Sequence, residues 1–254
     1  MTPHPTVPLE LDSCVVVADL HLAGDPAGLA RFVRLLELAP QWSPHLVILG
    51  DLFHYWFGRR HLRLPMFKAE LDALTRAVAA GLHVRVVPGN RDFLLDRSFT
   101  DVTGVTVHPD EWVGRVGGEL IHFSHGDLFG TADVRYQRMR SVLHSRMVRF
   151  LASHLPVLVL DRIASRLREH SRRVVPRKSE STLEPDRTEV SRLFRRGVQT
   201  VVCGHYHKLR DERFSEDAGG GRFMILEPFE DRGFVLLRTA SGWESRYVGG
   251  GEGR

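Results

Sequence analysis

Residues 14–21 read CVVVADLH, a short apolar run that ends abruptly in a carboxylate and, two positions later, an imidazole. A β-branched run of this length, closed by polar residues, is the pattern of a strand buried on both faces. Asp19 and His21 therefore fall at a strand end, where open α/β sheets carry their ligand-binding residues. The construction returns four times: LVILGD (46–51), VRVVPGNRD (84–92), LIHFSHGD (120–127) and TVVCGHYH (200–207). Asp51, Asn90 and His125 each adjoin a glycine that lets the backbone turn sharply. His205 and His207 repeat the spacing of Asp19 and His21, and in extended backbone residues two apart face one side, so each pair is expected to ligate as a unit. A lone histidine in such a run is more often structural. Two Asp, four His and one Asn at five strand ends instead supply seven ligands, enough for two divalent ions if one carboxylate bridges. Mixed imidazole and oxygen donors suit Mn first, with Fe or Zn, rather than Ca. Cys14 and Cys203 lie inside apolar runs, which excludes a thiolate site and fits two buried thiols in a reducing compartment.

Working outward, further strands are expected at 105–107 and 112–116, beside those at 14–18, 46–49, 84–87, 120–124 and 198–203. Helical periodicity at Leu29, Phe32, Val33 and Leu36, and through 64–80, alternates with them as in a layered α/β fold. A further helix is expected to start at Asp186, with Glu189 completing a box-like cap. After His207, segments 210–214, 222–226, 234–237 and 243–248, set apart by glycine-rich turns, read as an antiparallel meander. The expectation is one domain over 1–254: two packed β-sheets flanked by helices, an αββα sandwich. Residues 131–180 would form a helical cap insertion, with apolar stripes at Tyr136, Met139, Leu143, Met147 and Phe150, and at Leu160, Ile163, Ala164 and Leu167.

The net charge of +4 is unevenly placed. Residues 131–180 hold 12 Lys/Arg against 4 Asp/Glu, a local +8 that leaves −4 for the rest and implies an anionic partner there. The N-terminus, MTPHPTVPLELDS, lacks a basic region followed by an apolar one, and no run approaches the roughly 18 apolar residues of a spanning helix. A cytoplasmic protein is expected, one able to touch a membrane surface; its oligomeric state is left open.

Strung together, DLH, GD, GNRD, HGD and GHYH resemble the calcineurin-like metallophosphoesterase superfamily. More narrowly, GDLF followed by Trp56, then GNRDFLLDRSF, HGDLFGTAD and the basic IASRLREHSRR resemble the UDP-2,3-diacylglucosamine hydrolases of lipid A biosynthesis. The likeness covers roughly 15–178 and resumes at His205. It implies Asp19, His21, Asp51 and His207 on one ion, and Asp51, Asn90, His125 and His205 on the other, with Asp51 as the bridge. It also implies substrate contacts from Asn90, Arg91, Asp133, Ser171, Lys178 and His205, and cap helices that receive acyl chains. The implied reaction is hydrolysis of a diphosphate by water attack at the α-phosphorus, releasing UMP and 2,3-diacylglucosamine 1-phosphate.

Arg91 adds a physical argument for the narrower resemblance. Many relatives have GNHD, whose His can protonate an alkoxide-like leaving group, whereas an arginine stays charged at any ordinary pH and cannot act as general acid. Its guanidinium can neutralise phosphoryl charge through a bidentate fork. A phosphate leaving group, with second pKa about 6, needs little protonation. Asp51, Asn90 and Arg91 are thus the expected catalytic residues. Alternatives are another nucleotide or lipid-linked diphosphate, a nuclease, or a non-catalytic scaffold. No aromatic platform interleaves with the arginines, so no nucleic acid is expected, and a scaffold should have lost ligands that this chain keeps.

Overall fold

Alternate residues of the first ligand-bearing strand face two different cores, and that parity sets the layers. Val15 and Val17 pack with Phe32, Leu35 and Leu74, while Cys14, Val16 and Ala18 pack with Trp112, Phe123 and Val202. The computed structural model describes residues 8–22, 24–131 and 184–249. Its elements are β1 (Glu10–Leu11), β2 (Cys14–Ala18), α1 (Pro26–Trp42), β3 (His45–Leu49), α2 (Lys68–Ala79), β4 (His83–Val87), α3 (Arg97–Thr103), β5 (Thr106–Val107), β6 (Glu111–Val116) and β7 (Glu119–Ser124). After the segment left undescribed come α4 (Arg187–Phe194), β8 (Thr200–Cys203), β9 (Arg210–Phe214), β10 (Gly221–Ile225), α5 (Phe229–Arg232), β11 (Phe234–Thr239) and β12 (Gly242–Tyr247).

One sheet runs β12-β11-β2-β3-β4-β5 and the other β1-β6-β7-β8-β10-β9. Helices α1 to α3 cover the outer face of the first. Val190 and Phe194 of α4 cover the second, against Val201, Cys203, Phe214 and Phe223. The four layers are those of the expected αββα sandwich. Because both faces of the central strands are covered, β2 and β8 are buried along their whole length, which is why they read as unbroken apolar runs. Strands β2, β3 and β4 are mutually parallel, as are β7 and β8, so within each sheet the motif loops leave at one edge.

The structure corrects several expectations. The C-terminal strands are not one meander. The hairpin β9–β10 extends the second sheet through a parallel pairing with β8, whereas β11–β12 joins the first sheet antiparallel to β2. Each hairpin has the expected local pattern; which sheet it joins depends on distant partners. The helix expected from residue 64 begins as two 3-10 turns, Arg59–Arg63 and Pro65–Phe67, before α2. Neither β1 nor α3 was expected. Asp186 does cap α4, its side chain accepting from Thr188 N at 2.8 Å. Glu189 does not complete the box, because it accepts from Arg192 while Asp186 N donates to Phe129 O at 2.7 Å. Both cysteines are buried and free. Of the expected cap, all but Thr131 lies outside the described residues. No described helix is long and apolar enough to cross a membrane.

Candidate metal centre

The loops that follow β2 and β3 are stitched together by backbone bonds: Asp19 N to Gly50 O (3.2 Å), His21 N to Asp51 O (2.8 Å) and Leu22 N to Leu52 O (2.9 Å). Across the sandwich, His205 N donates to Asp19 Oδ2 at 2.9 Å, tying the loop after β8 to the loop after β2. These approaches leave no room for extra atoms. A Cβ on Gly50, whose φ is 73°, would lie 2.3 Å from His125 Nδ1, and one on Gly204 would lie 2.4 Å from Asp19 Oδ2.

The side chains form two adjoining clusters. In the first, Asp19, His21 and His207 offer donor atoms within 4.8 Å of one another, with His207 Nε2 3.5 Å from Asp19 Oδ1 and His21 Nε2 3.2 Å from Asp51 Oδ2. In the second, His125 Nε2 lies 2.9 Å from Asn90 Oδ1, 3.1 Å from His205 Nδ1 and 3.8 Å from Asp51 Oδ1. Asp51 thus turns one oxygen to each cluster. His125 Nδ1 sits 3.2 Å from Leu49 O, a contact that favours the proton on Nδ1 and leaves the Nε2 lone pair facing the cluster. All seven expected ligand residues meet here.

The donor set fits divalent cations on an observation independent of motif. Asp19 is fully buried, and its Oδ1 has no hydrogen-bond partner. An uncompensated buried carboxylate oxygen is costly, and a cation beside His207 would satisfy it. Burial alone would push Asp19 and Asp51 up. For Asp19 the contacts with His207 and His125 outweigh burial; for Asp51 the charges of His125, His21 and Arg91 do. Both carboxyls are held below the usual range, ionised as metal ligands must be. Burial lowers His205 to about 4, keeping it neutral.

Arg91 borders the clusters. Its Nε is 3.1 Å from Asp51 Oδ2, its backbone N donates to Asp51 Oδ1 at 2.9 Å, and Nη1 lies 3.3 Å from His54 Nδ1. The side chain is one-third exposed, so the guanidinium can meet a ligand arriving from solvent. Asp133, Ser171 and Lys178 lie outside the described residues.

One expectation about backbone shape fails. Asp19, His21, His205 and His207 do not share faces through extended backbone; they are left-handed, with φ of 53°, 49°, 71° and 53°, and Asp51 is likewise at 49°. The chain turns at each ligand instead of passing it.

Three residues at the site were missed. Asp92 is fully buried and joins two motif loops, its Oδ2 accepting from Leu52 N and Phe53 N and its Oδ1 from Gly89 N; its place in GNRD was the available signal. His54 follows GDLF directly. Glu230, whose Oε1 lies 2.6 Å from His21 Nδ1, carried no motif at all.

The family model for calcineurin-like phosphoesterases matches residues 13–209. A protein of Pseudomonas putida named UDP-2,3-diacylglucosamine hydrolase is 31% identical over 91% of this chain and 96% of its own length. One of the same name from Aeromonas salmonicida is 33% identical over 89% of each. A solved phosphoesterase from E. coli aligns over 93% of both chains at 15% identity, with a TM-score of 0.48.

Proposed function

The chain belongs to the calcineurin-like phosphoesterase family, and from that premise we propose that it hydrolyses the diphosphate of UDP-2,3-diacylglucosamine. The observation that carries this reading is the convergence of seven donor residues, among them the buried Asp19 whose Oδ1 has no hydrogen-bond partner, with an arginine, not a histidine, beside them. The names of the relatives support the substrate.

One ion would be held by Asp19, His21, Asp51 and His207, the other by Asp51, Asn90, His125 and His205. Two divalent ions, Mn first with Fe or Zn as alternatives, would supply an activated water and charge neutralisation at the phosphoryl group. The water oxygen bonds to the α-phosphorus as the bridging P–O bond breaks. The bridging oxygen keeps the electron pair and leaves on 2,3-diacylglucosamine 1-phosphate, and the other product is UMP.

Asp51 fixes the spacing of the two clusters. Asn90 turns its Oδ1 toward His125, which leaves its amide N–H groups to donate to a phosphoryl oxygen. Arg91 adds a fixed positive charge where negative charge builds, preorganised by its contacts with Asp51 and His54. No general acid is required for a leaving group that departs as a phosphate. Asp133, Ser171, Lys178 and His205 are proposed to orient the substrate, and segment 131–180 to receive its acyl chains. The +8 of that segment would hold the protein peripherally on an anionic inner-membrane surface from the cytoplasmic side, at about 1 kcal/mol per basic residue near the lipid.

The test is turnover of UDP-2,3-diacylglucosamine in isotopically labelled water. Label in UMP is expected, and label in the sugar phosphate would contradict attack at the α-phosphorus. An unchanged kcat/KM for the unacylated nucleotide sugar would remove the lipid assignment, and failure to float with anionic vesicles at low salt would remove the membrane contact.

A further inference from the structure

Glu230 lies in the PFEDR segment between the two sheets, a stretch in which neither composition nor motif points to a site. The neighbouring Phe229 is 1% exposed and anchors the segment in the core under the first sheet. The backbone of Glu230 is held from two sides: its N donates to Asp19 O at 3.3 Å, and its O accepts from Arg31 Nη1 of α1 at 2.5 Å. The carboxylate is thereby delivered to His21, with Oε1 2.6 Å from Nδ1.

The two ends of the His21 ring face different things. Nδ1 meets Glu230, while Nε2 points into the cluster, 3.2 Å from Asp51 Oδ2. With Glu230 in place the His21 side chain is 1% exposed, so the carboxylate and not solvent faces Nδ1. Glu230 itself is 40% exposed, so packing does not explain its position. A carboxylate facing one ring nitrogen puts the proton there, frees the other lone pair for a cation, fixes the ring plane and raises the basicity of the ligand.

We infer that Glu230 is a positioning residue that orients His21 toward the ion shared with Asp19 and His207. The inference rests on the two-ion reading above. Carboxylates in this role change metal affinity by 10–100-fold when removed. The effect should be confined to one of the two ions, because the carboxylate of Glu230 faces His21, which is proposed to hold only that ion.

The test is titration of metal-depleted protein with Mn2+ by calorimetry, with Glu230→Ala, Glu230→Gln, His21→Ala and Asn90→Ala beside the wild type. In Glu230→Ala, the binding step that His21→Ala also weakens should lose 10–100-fold in affinity, and the step that Asn90→Ala weakens should not move. Glu230→Gln keeps an acceptor for Nδ1 and should recover most of the loss. Adding Glu230→Ala to His21→Ala should cost nothing further. A misfolded variant would lose both steps, and the unmoved step excludes that explanation. If Glu230→Ala binds both ions like the wild type, or loses affinity equally with and without His21, the positioning role is wrong while the two-ion reading stands. If the wild type takes up fewer than two ions, the two-ion reading fails instead.

Discussion

Replacing Asp92 should destabilise the protein more than any surface change and should loosen the metal centre without touching a ligand. Its carboxylate is fully buried and accepts from Leu52 N at 2.7 Å, Phe53 N at 3.4 Å and Gly89 N at 2.7 Å. Those donors lie in the loops that carry Asp51 and Asn90, so one side chain sets the spacing of two ligands. Asp92→Ala strands two well-formed buried N–H groups and one weaker one. Above pH 7, where the carboxylate is ionised, hydrogen bonds to a charged acceptor contribute about 1.5–3 kcal/mol each, which gives about 3–6 kcal/mol in all. That is a large share of the ~5–15 kcal/mol that separates a folded domain from its unfolded chain. Burial and the nearby negative charge of Asp51 push the Asp92 carboxyl up to about 7, so part of the loss is offset by relief of repulsion. Asp92→Asn should cost about 1–3 kcal/mol, since the amide oxygen satisfies one loop and the NH2 group confronts donors on the other. Urea unfolding of the metal-depleted protein measures both, and Mn2+ titration reads the loosened site. An Asp92→Ala protein with the wild-type midpoint and wild-type Mn2+ affinity would refute the reasoning.

Gly204→Ala should abolish hydrolysis and Mn2+ uptake at the Asp19 cluster while leaving the far-ultraviolet circular dichroism intact, because the new methyl would meet Asp19 Oδ2; wild-type metal stoichiometry would overturn this. Arg91→Lys should lower kcat by about 10–1,000-fold through the loss of a preorganised charge, and the shape of the pH–rate profile should not change, since no proton passes through residue 91. His61 is buried, its Nδ1 accepts from Phe57 N at 2.7 Å, and burial lowers its pKa from 6.5 to about 4. Its folded form stays neutral while the unfolded chain takes up a proton below pH 6.5, so stability is whole above that pH and falls between 6.5 and 4, by up to about 3 kcal/mol. His61→Gln should flatten that part of the denaturation-midpoint profile; an unchanged acid slope would show that His61 does not contribute to it.

The layered fold was legible because burial on two faces writes itself into composition. CVVVA, HLVIL and TVVC read as central strands, and the candidate ligands lie at their ends. What the sequence did not disclose was assembly between elements. Hairpins at 210–225 and 234–247 have the same local pattern, yet they join opposite sheets through β8 and β2. The candidate ligand residues do converge, but their backbone was misjudged, since spacing of two is compatible with a strand and with a left-handed turn alike. Glu230 was invisible for a further reason. Its role arises from a contact across 209 positions of chain, between the C-terminal half of one crossover and the first loop. A residue that acts through another residue leaves no spacing rule behind.

The left-handed residues explain why so few side-chain types could serve. Among the described residues six non-glycine positions have positive φ, and five of them are Asp19, His21, Asp51, His205 and His207. For an L-residue that conformation costs roughly 1–2 kcal/mol, least for Asp and Asn. Glycine would remove the cost, as it does at Gly50 and Gly126 beside them, but it brings no donor atom. The strain persists because the surroundings over-determine it: Asp19 and His21 are pinned by Gly50 O and Asp51 O, and His205 by Asp19 Oδ2. Asp19, His21 and His205 are thus each fixed by the backbone or side chain of another candidate ligand's loop, and none of the three is free to relax alone. The turn that strains the chain also aims the donor inward, so the conformational cost and the metal-binding geometry have a single origin.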